Sequence, residues 1–238
     1  RIEQHHKHIN MALRKFRMMQ DEEARSQETT HEEQGSVGVQ VSTAVNLLNN
    51  FKKDGYKVVL IGTGELNELM GAYSLGDVLF CRDLPEVHRI HYFNNFLKEI
   101  EKRDKPDVII IGIDDPLLSL SSRHPFNYGI YATELYSAFS PDISIIALMN
   151  GNYNDDFYDE FGKLCRFKYN IDASAYFVSR YVSLSASMYR EKLSYAYSSE
   201  IQNLSEKYTV FSNSDIEQRN IYDFVLSRLQ QYGRCEQF

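Results

Sequence analysis

The sequence contains no tryptophan, only three cysteines, and no apolar run near the roughly 18 residues that a membrane-spanning helix requires. The cysteines, Cys81, Cys165 and Cys235, are far apart and form no CxxC pair. This spacing favours a reducing compartment and argues against a disulfide framework or a zinc site. No secretory signal leads the chain, so we expect a cytoplasmic protein that does not enter a membrane.

Positive charge is also scarce. The chain has 26 lysine and arginine residues against 33 aspartate and glutamate residues, which gives a net charge of −7. A broad nucleic-acid-binding surface needs clustered basic residues, so we expect no nucleic-acid partner. A length of 238 residues with 43% hydrophobic residues allows one large α/β domain or two small ones.

Residues 1–34 differ from the remainder of the sequence. Ile9, Leu13 and Phe16 recur at helical spacing, which predicts a helix, and residues 21–34 then turn polar and charge-rich, as a linker does. An isolated helix of this length is marginally stable in water. We therefore expect its apolar face to dock on a partner or on a second copy of the chain, which would make a homo-oligomer.

From Gly35 onward, strands and helices alternate, which predicts a doubly wound, mainly parallel sheet of about five strands with helices on both faces. The predicted strands are YKVVLIG, DVIIIGI, ISIIALMN, SAYFVS and YTVFS. The predicted helices include one capped by Ser42 with an apolar face of Ala44, Leu47, Leu48 and Phe51, one opened by Pro85, one at YATELYSAF, one near 155–169 and one over about 189–206. The chain thus divides into a helical arm with a polar linker, 1–34, and an α/β domain, 35–238.

Loops at the carboxyl ends of the strands are the places to look for a site, because open parallel sheets bind their ligands there. The candidate loops are Gly35 to Ser42, Thr63-Gly64-Glu65, Asp114-Asp115 and Asn150-Gly151-Asn152. In the first of them, Gly35 and Gly38 would supply the turns of a phosphate cradle, and Ser42 or Thr43 would supply a hydroxyl for Mg²⁺.

The lysine that such a cradle requires is missing. Val39 or Gln40 stands at its position, and an uncharged glutamine cannot replace a cation against polyphosphate. Asp114 follows an apolar strand as a Mg²⁺-binding carboxylate would, although Asp115-Pro116 also fits an ordinary turn. Two interpretations stay open: a helix N-terminus without cofactor, or a site for ATP or GTP with Mg²⁺. In the second, the cofactor-binding residues are Gly35, Gly38, Gln40, Ser42, Thr63, Gly64 and Asp114.

Motifs for covalent or zinc-dependent catalysis, such as GxSxG and HExxH, are absent from the sequence. The cluster HHKH at residues 5–8 has no carboxylate or cysteine at ligand spacing, so we predict no metal site there. Glu65 and Glu134 are possible general bases, with surface carboxylates as the plain alternative. His88 and His91 are expected on the polar side of a helix. The catalytic residues therefore stay unassigned.

Several phrases in this order resemble a family from clostridial-type gene clusters for ribosomally synthesised, modified peptides, whose members are called peptide maturation system proteins. The matching stretches, within residues 35–233, are NFKKDGYKVVLIGTGELNELMG, PDVIIIGI, GIYATELYSAFSPDISIIAL and IYDFVLSRLQQYG. The resemblance implies an α/β domain akin to P-loop folds, encoded beside radical-SAM or other tailoring enzymes. Family-like loops that keep a lysine would place it near Val39 or Gln40.

The resemblance and the missing cation together predict an accessory protein in the maturation of a ribosomally synthesised peptide natural product (RiPP). It would bind the precursor peptide or a peptide-modifying enzyme through the carboxyl-end loops and the arm, without a cofactor. The alternative is a nucleotide-dependent enzyme of peptide modification, which would use ATP or GTP with Mg²⁺.

Overall fold

A computed structural model describes the protein at residues 37–63, 72–79, 81, 83–113, 116–118, 129–183, 195–201, 204–212 and 215–232. The predicted arm and linker lie outside these residues. The helices are α1 (Val37–Lys53), α2 (Gly76–Leu79), α3 (Glu86–Asp104), α4 (Ile130–Ala138), α5 (Asp155–Tyr169) and α6 (Asp215–Tyr232). The strands are β1 (Val58–Gly62), β2 (Tyr73–Ser74), β3 (Val108–Gly112), β4 (Ser144–Leu148), β5 (Ala173–Val178), β6 (Tyr181–Ser183), β7 (Tyr195–Tyr197) and β8 (Val210–Ser212).

The strands form two parallel sheets and one hairpin. The parallel sheets have the orders β2-β1-β3 and β4-β5-β8, and β6 pairs with β7 in an antiparallel hairpin. The predicted α/β class with parallel strands is confirmed. A single sheet of about five strands is not seen, because no ladder joins β3 to β4 in the described part of the chain.

Helices cover both faces of the two sheets, as predicted. On one face, α1 and α6 cover a core in which Phe51 lies with Val108 of β3 and Ile145 of β4. On the other face, α4 contributes Leu135 to the core over the first sheet and Ala132 to the core over the second sheet. The same helices therefore cover both sheets. This arrangement agrees with the regular alternation of strands and helices in the sequence.

Both parallel sheets contribute side chains to the same two cores. Near the amino ends of β3 and β4, Val108 and Ile143 pack against the same core. On the opposite face, Ile113 and Leu148 both pack against a second core. Within each sheet, the strands are parallel, so their carboxyl ends lie along one edge of that sheet.

Helix α1 shows where the sequence pattern was right and where it was wrong. Its apolar face is buried as predicted, and it ends before Gly55, whose φ of 86° only glycine adopts without strain. However, α1 already includes Gly38, Gln40 and Ser42, so Ser42 does not cap it. The intrinsic cost of a helical glycine is only about 1 kcal/mol, so a helix with a packed apolar face can extend through Gly38.

The helix predicted over 189–206 is also wrong for the part of this range that the structure describes, 195–201 and 204–206. Residues 195–197 of this range form β7, which pairs with β6 through the register Tyr181 to Tyr197. These two tyrosine rings meet edge to face with their centroids 5.9 Å apart. Such a cross-strand aromatic pair stabilises a hairpin and can override a helical pattern. None of the described helices is both long and apolar enough to cross a bilayer.

Gly129, at the start of α4, should tolerate no side chain. Its φ is 71°, and a Cβ built on it would lie 2.0 Å from the hydroxyl of Tyr169. Tyr169 is buried and donates a hydrogen bond to the carbonyl of Leu117 at 2.7 Å, so it cannot easily give way. We expect Gly129→Ala to lower the free energy of unfolding by about 3 kcal/mol, from left-handed strain and overpacking together.

Gly55→Ala is the matched control for this prediction. Gly55 has a φ of 86°, but nothing lies within 4 Å of its added Cβ. This variant should therefore lose only the strain of about 1–2 kcal/mol. Urea denaturation of both variants would measure the difference, and equal losses would show that Tyr169 does not fill the space beside Gly129.

Candidate functional site

Polar residues are buried where four of the parallel strands end. Thr63 follows β1, Asn150 follows β4, Ser179 follows β5, and Ser212 is the last residue of β8. We call these four residues the strand-end edge. Buried polar groups are ordinarily hydrogen-bonded, so we expect each of these side chains to have hydrogen-bond partners.

Among the predicted cofactor-binding residues that the structure describes, Thr63 is buried at this edge. Thr63 is buried, and its backbone N–H donates to the carbonyl of Gly112 at 3.3 Å, which joins the ends of β1 and β3. Gly38, Gln40 and Ser42 lie in α1, whereas Gly35, Gly64 and Asp114 lie outside the described residues. The prediction of a loop from Gly35 to Ser42 is therefore wrong for residues 37–42.

The start of α1 at Val37 determines which backbone N–H groups could bind a phosphate. In an α-helix, only the first four backbone N–H groups lack a partner within the helix. Because α1 includes residues from Val37 onward, the N–H of Ser42 belongs to the helical hydrogen-bond ladder and cannot point at a ligand. A cradle of backbone N–H groups extending to Ser42 is incompatible with this helix.

Asn150 fastens the β6–β7 hairpin over the end of β4. Its backbone N–H donates to the carbonyl of Tyr181 at 2.8 Å, and its side-chain Nδ2 donates to the carbonyl of Glu200 at 2.7 Å. Beside it, the N–H of Ser179 donates to the carbonyl of Leu148 at 2.8 Å. Asn150 thus binds both β6, at Tyr181, and the segment after β7, at Glu200.

The hairpin presents a cation and an aromatic ring beside this edge. Arg180 directly follows Ser179, and its Nη1 donates to the hydroxyl of Tyr197 at 3.3 Å and to the carbonyl of Ser199 at 3.4 Å. The Tyr197 side chain is 62% exposed. The Nε of Arg180 is buried and has no hydrogen-bond partner among the residues that the structure describes. We call Arg180 and Tyr197 the hairpin pair.

A cleft lies next to this edge. It has a volume of about 780 Å³ and is lined by residues 152–156, which follow Asn150, and by residues 204–206. Three of its lining residues are acidic, namely Asp155, Asp156 and Glu206. The hydroxyl of Ser205 donates to Asp155 at 2.6 Å across the cleft. Its chemistry therefore suits a basic ligand more than a phosphate.

Glu134, which the sequence offered as a possible general base, forms a buried ion pair with Arg89. It is 4% exposed and accepts hydrogen bonds from Nε and Nη2 of Arg89 at 2.8 and 2.5 Å. The Nη1 of Arg89 donates to the carbonyls of Cys81 and Leu84. The hydrogen bonds to Glu134 raise the pKa of Arg89 above its ordinary value. A carboxylate held at both oxygens in this way is an ion-pair partner and not a free base.

Cys165 is the one cysteine of the described residues that is fully enclosed. It lies in α5 and is buried in the core over the second sheet. Burial raises the pKa of its thiol to about 11, so it is protonated at neutral pH and is a poor nucleophile. His88 and His91 are exposed on α3, which confirms their predicted place.

Sequence reasoning missed Arg180, Tyr197 and the Arg89–Glu134 pair. Arg180 carried a readable signal, because it directly follows the buried strand SAYFVS and so had to emerge at a carboxyl end. Tyr197 was hidden by the incorrect helix over 189–206. The ion pair links residues 45 positions apart, and no local pattern marks such a contact.

The fold and its carboxyl-end edge place the chain among α/β proteins with doubly wound parallel sheets. No family model matches the sequence, and no curated protein matches it. Among solved structures, it is similar to a DUF1611 family protein from Anabaena variabilis, with a TM-score of 0.51 and 13% identity over 81% of this chain and 54% of that chain. The chain thus spans about half the length of that protein, and the likeness shows the fold alone.

Two further structures have lower scores. The MinD cell division protein of Aquifex aeolicus gives a TM-score of 0.41 at 15% identity, over 87% of this chain and 96% of that chain. The MinC:MinD cell division protein complex of the same organism gives 0.40 at 15% identity, with the same shares of each chain. Likeness at this level supports no conclusion about function.

Proposed function

We propose that this chain is an accessory protein in the maturation of a ribosomally synthesised, modified peptide. It would bind the precursor peptide, or the enzyme that modifies it, at the hairpin pair beside the strand-end edge. The observation that carries this proposal is the exposed ring of Tyr197, held by Arg180 on a hairpin that Asn150 anchors. The resemblance to peptide maturation system proteins supplies the biological setting.

The chemistry of this surface favours a polypeptide. Tyrosine and arginine are enriched among the residues that dominate protein-binding energies. Tyr197 also packs against Tyr181, so fixing it on binding costs little conformational entropy. The neighbouring acidic cleft and the net charge of −7 favour a peptide that carries basic residues.

The alternative, an enzyme that uses ATP or GTP with Mg²⁺, depends on Thr63 and Asp114. Thr63 lies at the end of β1, as such a site requires, whereas the N–H of Ser42 is engaged within α1 and is not free for a phosphate. Thermal unfolding with Mg-ATP and with Mg-GTP separates the two functions. We expect no shift, whereas a bound nucleotide at 100 times its Kd would add about 2.7 kcal/mol.

A direct test uses a synthetic peptide rich in lysine and arginine, labelled with a fluorophore, because the acidic cleft favours a basic partner. We expect its anisotropy to report binding, and Tyr197→Ala and Arg180→Ala to weaken that binding at least about tenfold each. Phe167→Ala is the matched control, because Phe167 is an 83% exposed aromatic residue on α5. Equal affinity of the hairpin variants and this control would reject the hairpin pair as the contact.

A further inference from the structure

The acidic cleft next to the strand-end edge has a matching ligand within the same chain. We infer that residues 14–17, with the sequence RKFR, bind in this cleft. The ligand class is therefore a guanidinium or ammonium side chain. This inference goes beyond the proposed function, because it concerns the chain's own basic residues and does not depend on a peptide at the hairpin pair.

The first observation is the uncompensated charge of the cleft. Its volume of about 780 Å³ lies in the range of ligand-binding pockets, roughly 300–1,000 Å³. Asp155, Asp156 and Glu206 line it, and its described lining residues include no lysine or arginine. None of these three carboxylates forms an ion pair within the described part of the chain. A cation is therefore the ligand that this cleft attracts.

The second observation is an unpaired hydroxyl beside the cleft. Tyr158 in α5 is 1% exposed, and its hydroxyl makes no hydrogen bond to any residue that the structure describes. Side chains in a helix lean toward its N-terminus, so Tyr158 leans toward Asp155, which lines the cleft. Its ring centroid lies 6.2 Å from that of Tyr153, another lining residue.

The electrostatics agree with this position of the hydroxyl. Burial, and then the charge of Asp155, raise the pKa of Tyr158. A buried hydroxyl without a partner costs free energy, which a ligand with N–H donors recovers by donating to its oxygen. Guanidinium and ammonium groups carry only donors, so they suit both the hydroxyl and the carboxylates.

The third observation is the opposite charge of residues 1–20. They contain five lysine and arginine residues against one acidic residue, Glu3, which gives a net charge of +4 (5 − 1). Three of the five basic residues lie within residues 14–17. The same stretch includes Phe16, which offers an apolar contact for Leu204, a 38% exposed side chain of the cleft. Charge and apolar character therefore both match.

The connection to the α/β domain is long enough for this contact. Residues 18–36 separate the RKFR stretch from the start of α1, and such a segment spans up to roughly 65 Å when extended. A domain of about 200 residues has a radius of gyration of only roughly 16 Å, so the cleft is within reach. Tethering also raises the effective concentration to roughly millimolar values, which offsets the weakness of single exposed ion pairs.

The intervening segment is not a competing ligand. Residues 21–34 contain six acidic residues and one basic residue, Arg25. Repulsion between like charges keeps such a segment out of an acidic cleft. The RKFR stretch is therefore the better match within residues 1–34.

Photo-crosslinking in the full chain tests this inference. The variant Phe16→p-benzoylphenylalanine places a photoreactive group inside the RKFR stretch, and mass spectrometry locates its adducts. In dilute solution we expect the main adduct within residues 152–158 or 204–206 of the same chain. A mixture of isotopically light and heavy chains distinguishes adducts within one chain from adducts between two copies.

Two sets of substitutions, added to this chain, test the role of charge. The first removes the three charges of the cleft and should lower the adduct yield at least about fivefold: Asp155→Asn/Asp156→Asn/Glu206→Gln. The second is the matched control, which removes three exposed charges on and before α3 and should leave the yield unchanged: Asp83→Asn/Glu99→Gln/Glu101→Gln. Salt at about 1 M, where the screening length is about 3 Å, should lower the yield as the first set does.

Each result supports or overturns the inference. Adducts outside the cleft, or equal yields from the two sets of substitutions, would overturn it. Adducts formed only between light and heavy chains would overturn it too, because a second copy would then supply the stretch. If Tyr197→Ala weakens binding of the basic peptide while the Phe16 adducts lie elsewhere, the proposed function survives and the docking of residues 14–17 fails.

Discussion

Replacing Arg89 by methionine should lower the free energy of unfolding by about 3–5 kcal/mol, because it leaves the carboxylate of Glu134 buried without its cation. Arg89 is 8% exposed and Glu134 is 4% exposed. The guanidinium connects α3 to α4 through two hydrogen bonds and also binds the carbonyls before α3. Urea denaturation would measure the loss as a lower midpoint with an unchanged slope.

Two further variants show that the loss comes from the uncompensated charge. In Arg89→Met/Glu134→Leu, both charges are gone, and replacing a buried ion pair by apolar residues is often close to neutral. The double variant should therefore be more stable than Arg89→Met alone. Lys163→Met breaks the exposed pair with Glu160 and should change little, since surface ion pairs contribute little. A loss for Arg89→Met no larger than that for Lys163→Met would contradict a structural role for the pair.

The elements with strong apolar periodicity were predictable from sequence. The apolar face of α1, the helix after Pro85, the helix Asp155–Tyr169 and the apolar strands β1 and β3 all lie where their patterns place them. These patterns record burial directly, because each apolar residue must face a core. The parallel class followed from their alternation, and so did the position of Thr63 at a strand end.

Features set by contacts between distant residues were not predictable in this way. β7 exists because Tyr197 has a partner in Tyr181, and a helical pattern could not reveal that partner. The Arg89–Glu134 pair stands on helix faces where single charged residues read as solvent-exposed. The start of α1 was predicted too late in the sequence. Serine is a favoured N-cap residue, but Ser42 lies inside the helix. Sequence patterns therefore predict which residues are buried better than they predict which distant residues pair with each other.

Replacing Phe51 by alanine should have the other large effect, a loss of about 3–5 kcal/mol in the free energy of unfolding. Phe51 is 1% exposed, and its ring meets Tyr222 edge to face with centroids 4.9 Å apart. It lies in one core with Val108 of the first sheet and Ile145 of the second. The cavity would therefore remove contacts from both sheets and from the helices that cover them.

Phe167→Ala makes the same chemical change at a residue that is 83% exposed, and it should stay within about 0.5 kcal/mol of the unaltered chain. The shape of the Phe51→Ala transition carries further information. If the two sheets share one core, the variant should unfold in a single transition with a lower midpoint in urea and an unchanged slope. Two separate transitions, with only one displaced, would show that the sheets unfold independently. In that case the helices over Phe51 would not hold β3 and β4 together.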